Sequence, residues 1–162
     1  MPVTPTGRLV PRGDAYDVIL TRMFDAPIAS VWAAITAPDR LAPWIGTWTG
    51  DPRSGSVDWV MTAEGATEPS PMAALRCEPP TGLTVRQQLG EDAWTLHLDL
   101  AEAGGVTTLT FEQRDLTAAA ASDIGPGWEY YLDRLVASET GGDVTAVTWE
   151  DYYPSMRAHY GG

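Results

Sequence analysis

The sequence predicts an α+β domain built from an antiparallel sheet and one long helix. The chain has 162 residues, of which 44% are apolar, which is enough material for a hydrophobic core. Short alternating segments joined by turns fill the middle of the chain and indicate consecutive antiparallel strands. Near the C-terminal end, apolar residues recur with the spacing of one helix face.

The first predicted elements are a strand and two short helices. Residues 15–24 form a loosely alternating apolar segment, which the sequence Asp-Ala-Pro at 25–27 interrupts. Pro27 suits the first position of a helix, whose apolar face carries Ile28, Val31, Trp32 and Ile35. Proline at 38 and at 43 limits the next helix to about one turn.

From about residue 54 the pattern changes to strands. Alternation and turn residues predict strands near 56–61, 72–78, 83–89, 94–100 and 106–114, which makes about six with the first strand. The clearest alternation places Trp94, Leu96, Leu98 and Leu100 on one face, and Thr95, His97 and Asp99 on the other. We therefore expect the first set to be buried and His97 to be exposed to solvent.

The long helix is predicted to begin at Gly125-Pro126-Gly127 and to end before Gly141-Gly142. Its apolar stripe consists of Trp128, Tyr131, Leu132, Leu135 and Val136. Glu129 and Asp133 lie opposite that stripe and indicate a solvated face. The four alanines at 118–121 predict a loop or a weak helix. The tail after residue 142 predicts two short helical pieces, the second beginning near Pro154.

Composition and charge define the domain limits and exclude several classes of partner. Residues 1–14 are rich in proline, threonine and glycine, so we expect a flexible arm before a single domain at 15–162. The net charge of −12 disfavours nucleic acid and anionic membrane surfaces. No apolar run approaches the roughly 20 residues that cross a bilayer, and no secretory signal is recognisable. We expect a cytoplasmic protein.

Few residues indicate catalytic or metal chemistry. Cys77 has no sequence signal that ties it to a base, and we expect a reduced, partly buried thiol. His97 and His159 are isolated, whereas a metal site needs three or four converging ligands. The chain contains no lysine for a phosphate-binding loop and no hydrolase motif. We therefore expect no cofactor, no metal and no catalytic residue.

A helix laid across a curved sheet often leaves a cavity lined by aromatic and aliphatic side chains. Strand and helix phases predict the cavity wall, with Arg76 as a polar anchor because it follows the parity of Met72 and Ala74. The predicted wall residues are Trp44, Trp59, Met72, Trp94, Leu96, Leu98, Trp128, Tyr131, Leu132 and Leu135. For each tryptophan, the alternative is that it only fills the core.

Several segments, in order, resemble the START-like helix-grip superfamily, also called SRPBCC or polyketide cyclase-like. More narrowly they resemble the branch named after the activator of a heat-shock chaperone ATPase. The segments are Arg22–Pro27, Val31–Pro38, Trp44–Gly46 with Thr49–Pro52, Glu78–Leu83 and Gly125–Leu135. The resemblance implies a Bet v-like fold, in which a curved antiparallel sheet grips the C-terminal helix and two small helices close one end.

The resemblance implies less about function, because a fold hosts many activities. Members of the superfamily bind lipids, sterols, hormones or polyketides, some cyclise polyketides, and many bacterial members of this branch have no known role. We expect non-catalytic binding, sequestration or carriage of a small hydrophobic or aromatic metabolite. A polyketide cyclase or dehydratase and a protein-interaction module are the alternatives. A homodimer stays open, and only the branch name suggests a chaperone partner.

Overall fold

The computed structural model describes residues 2–162, with only the backbone at position 89. Its three α-helices are α1 (Ile28–Thr36), α2 (Pro38–Leu41) and α3 (Ala118–Glu139). Its strands are β1 (Arg8–Arg12), β2 (Ala15–Phe24), β3 (Thr47–Thr49), β4 (Ser56–Val60), β5 (Ser70–Glu78), β6 (Gly82–Leu89), β7 (Asp92–Ala103) and β8 (Val106–Leu116).

The strands form one open sheet in the order β1-β2-β8-β7-β6-β5-β4-β3. The α+β class and the long C-terminal helix are confirmed. The sheet has eight strands where the sequence predicts about six. The two additional strands are β1, which lies in the predicted arm, and the three-residue β3, which is too short to show alternation.

The segment predicted as a flexible arm contains a paired strand. β1 runs antiparallel to β2, with Arg8 opposite Ile19 and Arg12 opposite Ala15. This pairing uses backbone groups, which every residue except proline can supply in full, so it requires no side-chain periodicity. For this reason, the composition of residues 1–14, which is rich in proline, threonine and glycine, does not indicate the edge strand β1.

Helix α3 begins earlier than predicted, because the four alanines belong to it. Thr117 caps its N-terminus, where the hydroxyl oxygen accepts a hydrogen bond from the backbone N–H of Ala120 at 3.1 Å. Alanine has the highest helix propensity, so a capped alanine run is a helical first turn. Pro126 then lies inside the helix and leaves the carbonyl of Ser122 without its usual backbone donor.

Gly125, the residue before Pro126, allows close packing against the helix. It lies inside α3 and is not the start of the helix. A Cβ atom built on Gly125 would overlap the ring of Tyr160. Both residues are buried, and Tyr160 is fully so. The missing side chain therefore lets the C-terminal tail lie directly on α3.

The tail after α3 contains three short 3-10 helices where the sequence predicts two helical pieces. They span Val144–Ala146, Trp149–Asp151 and Arg157–Tyr160. The last begins after Pro154, as expected for a residue that cannot continue a helix. Among the described residues, no helix combines the length and the apolar character needed to cross a bilayer.

The chain divides into two compact units, each of which has its own buried residues. The first unit consists of Met1–Arg22 with Thr110–Gly162, and the second unit is Met23–Leu109. Buried apolar residues of the first unit include Val18, Leu20, Phe111, Leu132, Leu135, Met156 and Tyr160. Those of the second unit include Phe24, Val31, Ile35, Leu41, Trp44, Trp59, Leu98 and Leu109.

Candidate functional site

Strand register in the second unit brings several predicted wall residues onto one sheet face. Met72 of β5 lies opposite Gln87 of β6, which lies opposite Trp94 of β7. Paired residues of antiparallel strands project to the same side. The neighbouring rows align in the same way and complete what we call the Trp94 face. Its members include Val57, Trp59, Ser70, Met72, Ala74, Leu83, Val85, Gln87, Trp94, Leu96 and Leu98.

Solvent exposure is not uniform over the Trp94 face: some of its side chains are buried and others are partly exposed. Leu98 is 7% exposed and Trp59 is 9% exposed, so these residues are core. In contrast, Trp94, Leu96 and Met72 are only half-buried, although they project to the same side. Large apolar side chains that keep solvent access on a contiguous face are typical of binding surfaces.

A polar pair lies within this apolar face. The side-chain amide of Gln87 donates a hydrogen bond to the hydroxyl of Ser70 at 2.5 Å, and both residues are half-buried. The face thus combines aromatic and aliphatic surface with a small number of fixed polar groups. That combination is characteristic of sites for small molecules.

Arg76, predicted as the polar anchor, lies on the opposite face of the sheet. A bulge in β5 shifts the register between Ala74 and Arg76, so that Arg76 pairs with Thr84 on the His97 side. Its guanidinium donates to Asp99 at 2.5 Å and to Glu78 at 2.8 Å. The hydrogen bond with Asp99 is the main cause that raises the pKa of Arg76. The structure therefore does not bring Arg76 together with Trp94.

The remaining predicted wall residues occupy other places. Trp44 follows α2 and donates its indole N–H to the carbonyl oxygen of Ala34 at 3.1 Å, so it helps to join the two short helices. On α3, four predicted residues share a buried stripe in the first unit. They are Trp128 (7% exposed), Tyr131 (8%), Leu132 (1%) and Leu135 (0%).

Glu129, which the sequence predicts to be solvated, is fully buried in the first unit. Its carboxylate accepts hydrogen bonds from the backbone N–H of Thr6 at 2.7 Å and of Gly7 at 2.8 Å. Hydroxyl donors are Thr6 at 2.8 Å and Tyr160 at 2.5 Å. The Arg22 guanidinium lies 3.0 Å from the Glu129 carboxylate. We call Glu129 and these four partner residues the Glu129 shell.

The Glu129 shell has the chemistry of a structural tie. A buried carboxylate is stable only when charge and hydrogen bonds replace its water, and here both oxygens receive several donors. Next to it, Asp133 pairs with Arg22 at 3.0 Å and accepts from the Tyr152 hydroxyl at 2.6 Å. Burial, and after it the Asp133 carboxylate, raises the pKa of Tyr152. Both acids therefore hold segments of the first unit together.

Acidic pH should weaken the hydrogen bonds and the ion pair of the Glu129 shell. Burial alone would raise the pKa of Glu129, but hydrogen bonds from Tyr160, Gly7 and Thr6 outweigh burial and lower it below its ordinary value of 4.5. The stabilisation is therefore present above pH 4.5 and is lost as the pH falls through the lower pKa of the folded state. We expect the thermal midpoint to fall more steeply below that pH in the wild type than in Glu129→Gln. Calorimetry across about pH 3 to 7 measures this, and equal slopes would contradict it.

The structure places the two histidines and the cysteine in different surroundings. His97 is half-buried, where solvent exposure is expected. Its ring lies 3.2 Å from the hydroxyl of Thr84, on the face opposite Leu98. His159 lies in the tail, where its Nε2 is 2.7 Å from the carbonyl oxygen of Gly7. Cys77 is exposed, where partial burial is expected. Within the described residues, no three His, Cys, Asp or Glu side chains converge on a point.

The family profile "Activator of Hsp90 ATPase homolog 1-like protein" matches residues 25–138, which is more than half of the chain. The chain belongs to this family. Membership in the Hsp90 ATPase activator homolog 1-like family places it in the START-like helix-grip superfamily, as the sequence motifs predict. A comparison with curated proteins finds no match.

Solved structures share the fold of this family member. The crystal structure of CalU16 from Micromonospora echinospora is 27% identical, with a TM-score of 0.69 over 97% of this chain and 96% of CalU16. A Bordetella parapertussis protein is 24% identical, with a TM-score of 0.67 over 94% and 93% of the two chains. DynU16, a protein of the dynemicin biosynthetic locus, is 22% identical, with a TM-score of 0.60 over 79% of this chain and 49% of DynU16.

Proposed function

We propose that this protein binds a small hydrophobic or aromatic molecule, without catalysing its conversion, in order to sequester or carry it. The Trp94 face is the observation that supports the proposal. Trp94, Met72 and Leu96 keep part of their surface open on the side where Leu98 is buried. Covering such a surface with a flat apolar ligand removes it from water, which is favourable at about 25 cal/mol per Å².

The charge of the protein narrows the ligand class. With a net charge of −12, the protein repels anions at long range. On the Trp94 face, the Gln87–Ser70 pair offers neutral hydrogen-bonding groups, which suit hydroxyl, ether or carbonyl oxygens. We therefore propose a neutral ligand, held by apolar contact and oriented by one or two hydrogen bonds.

The first test is a native mass spectrum of freshly purified protein, followed by denaturing extraction. A reproducible small molecule on the folded chain would support the proposal and identify the chemical class of the ligand. A bare chain that also fails to bind a neutral apolar dye would contradict the proposal. That result would favour the alternative that this protein uses its fold to bind another protein.

Truncation of the central tryptophan should weaken ligand binding more than folding. We expect Trp94→Ala to raise the Kd for Nile red, a neutral dye, by about tenfold, which corresponds to a loss of about 1.4 kcal/mol of apolar contact. Because Trp94 is half-buried, the cost in stability should stay below that of a fully buried tryptophan. Fluorescence titration measures the Kd, and chemical denaturation measures the stability.

The matched control for this variant is Trp149→Ala. Trp149 is 38% exposed, lies in the C-terminal tail and stacks on Tyr153 with ring centroids 5.2 Å apart. Its truncation removes an equal volume away from the proposed site, so the Kd for Nile red should not change. If folded Trp94→Ala binds the dye as tightly as Trp149→Ala does, the Trp94 face is not the binding site.

A further inference from the structure

The hydrogen bond between Gln87 and Ser70 leaves part of each side chain unused. Because the Gln87 amide donates to the hydroxyl oxygen of Ser70, the bond uses neither the Gln87 carbonyl oxygen Oε1 nor the Ser70 hydroxyl hydrogen. Within the described part of the chain, neither side chain makes another hydrogen bond. The pair therefore keeps both an acceptor and a donor for a further partner.

Either orientation of the Gln87 amide leads to this result. If its oxygen instead accepts from the Ser70 hydroxyl, the NH₂ group becomes the unused donor and the Ser70 oxygen becomes the unused acceptor. A hydroxyl and a primary amide each carry both kinds of group, so one hydrogen bond between them cannot satisfy both kinds on either side chain. The unused donor and acceptor are thus a property of the residue pair.

The unused acceptor keeps solvent access, which a binding group requires. Gln87 and Ser70 are both half-buried. In the described part of the chain, Gln113 Nε2 is the one buried side-chain nitrogen or oxygen that has no hydrogen-bond partner. The unpartnered Oε1 of Gln87 is therefore not buried, and it keeps contact with solvent. A ligand on the Trp94 face can take the place of that solvent.

Apolar side chains flank Gln87 on the same face of the second unit. Met72 on β5 and Trp94 on β7 lie directly opposite Gln87 on β6, one on each side. Opposite residues of antiparallel strands have Cβ atoms about 4.5–5.5 Å apart, so a ring that packs on Trp94 has its edge within reach of Gln87. An aromatic surface and a polar pair thus lie side by side, and all of these residues belong to the second unit.

Chemical groups differ in how well they match an unused donor and an unused acceptor. An ether or ketone oxygen only accepts, so it would leave the acceptor of the pair without a donor. A hydroxyl donates and accepts at one atom, so a single hydroxyl satisfies both groups. A phenol carries this hydroxyl directly on a flat ring, and it is neutral at pH 7 because its pKa is close to the value of about 10 for tyrosine. A carboxylate has no donor at pH 7, and the net charge of −12 disfavours it.

We propose that the Gln87–Ser70 pair recognises the phenolic hydroxyl of an aromatic ligand whose ring packs on Trp94. In the complex, the phenol donates a hydrogen bond to the Gln87 carbonyl oxygen and accepts one from the Ser70 hydroxyl. This inference rests on the proposed function, to which it adds the class of ligand, a neutral phenol. It involves residues of the second unit alone.

Two naphthalene probes that differ in one group test the inference on the wild-type protein. Both 2-naphthol and 2-methoxynaphthalene accept a hydrogen bond through oxygen, but only 2-naphthol donates one. We expect 2-naphthol to bind about tenfold more tightly, the ratio that one additional hydrogen bond would give. Displacement of Nile red measures both dissociation constants. In ¹H–¹⁵N spectra, 2-naphthol should shift the Gln87 side-chain NH₂ signals more than 2-methoxynaphthalene does, because both probes have the same ring.

Substitutions then assign the preference to Gln87. Gln87→Met keeps a side chain of similar length but removes the amide. The ratio of the two dissociation constants should fall to about one, because the remaining Ser70 hydroxyl can make one hydrogen bond with either probe. The control is Gln88→Met, which removes an exposed amide that donates to the carbonyl oxygen of Gly90. Gln88 is the next residue of β6 and projects to the opposite face, so this control should keep the wild-type ratio.

The outcomes separate this inference from the proposed function. Recognition of a phenol is overturned, and the proposed function stands, if Nile red binds but 2-naphthol does not, if the two probes bind equally well, or if the preference survives in Gln87→Met. If neither probe nor Nile red binds and native mass spectrometry finds a bare chain, the proposed function fails, and the inference fails with it. If Gln87→Met does not fold, the NMR comparison on the wild type decides, and equal shifts of the Gln87 NH₂ signals overturn the hydrogen bond.

Discussion

Glu129→Leu is expected to lower the free energy of unfolding by about 3–5 kcal/mol, the cost of removing one partner of a buried ion pair. The substitution leaves the Arg22 guanidinium, with a side-chain exposure of 9%, without its most buried carboxylate partner. It also leaves the backbone N–H groups of Thr6 and Gly7 without an acceptor. Urea denaturation followed by circular dichroism measures the loss.

Two comparisons make the Glu129 prediction specific. Asp123→Ala on the same helix removes an exposed carboxylate that pairs with Arg157 at 3.0 Å, and it should cost about 0–1 kcal/mol. Arg22→Met combined with Glu129→Leu removes both charges, so the double variant should lose less stability than the two single losses added together. A Glu129→Leu protein as stable as Asp123→Ala would show that the Glu129 shell contributes little.

Trp128→Ala is the second substitution with a large expected effect. We expect it to destabilise the protein by about 3–5 kcal/mol, because the indole is buried and leaves a cavity beside Phe111 and Tyr131. The Gln113 amide, whose oxygen accepts a hydrogen bond from this indole N–H at 2.7 Å, would also lose that partner. Trp149→Ala, at a position that is 38% exposed, should cost less than half as much.

Trp128→Phe separates the two contributions of this tryptophan. It keeps an aromatic ring but removes the indole N–H, so it should cost less than Trp128→Ala, and the difference between them reports the ring packing. Denaturation curves for the three variants and the wild type give the comparison. A loss for Trp128→Ala no larger than that for Trp149→Ala would mean that Trp128 borders an open space and is not core.

The fold could be predicted because its signals are local. The strand at 15–24 and the apolar stripe of Trp128, Tyr131 and Leu132 follow from periodicity within a few residues. The N-terminal boundary of α3 was missed because its alanines have no periodic pattern. Their helical state depends on the Thr117 cap. The sequence alone does not show that Thr117 acts as a cap, because this requires that the following residues form a helical turn.

The candidate site was only partly predictable, because register and long-range partners determine it. Trp94 and Met72 share a face, as strand parity predicts, but the bulge after Ala74 inverts that parity for Arg76. Helical periodicity predicts that Glu129 faces solvent, because it lies off the apolar stripe. Its donors come from distant parts of the chain, and nothing within one helical turn of Glu129 indicates them.

The partners of Glu129 come from both ends of the chain, and this affects the order in which parts of the protein fold during translation. The second unit is one continuous segment, Met23–Leu109, whereas the first unit joins an early segment to the last one. The tie between His159 and Gly7 spans 152 positions. Domains fold as units while synthesis proceeds from the N-terminus, so the second unit can gain structure early. The first unit must wait for Tyr160, and until then an emerging chain carries Glu129 and Arg22 without their complete set of partners.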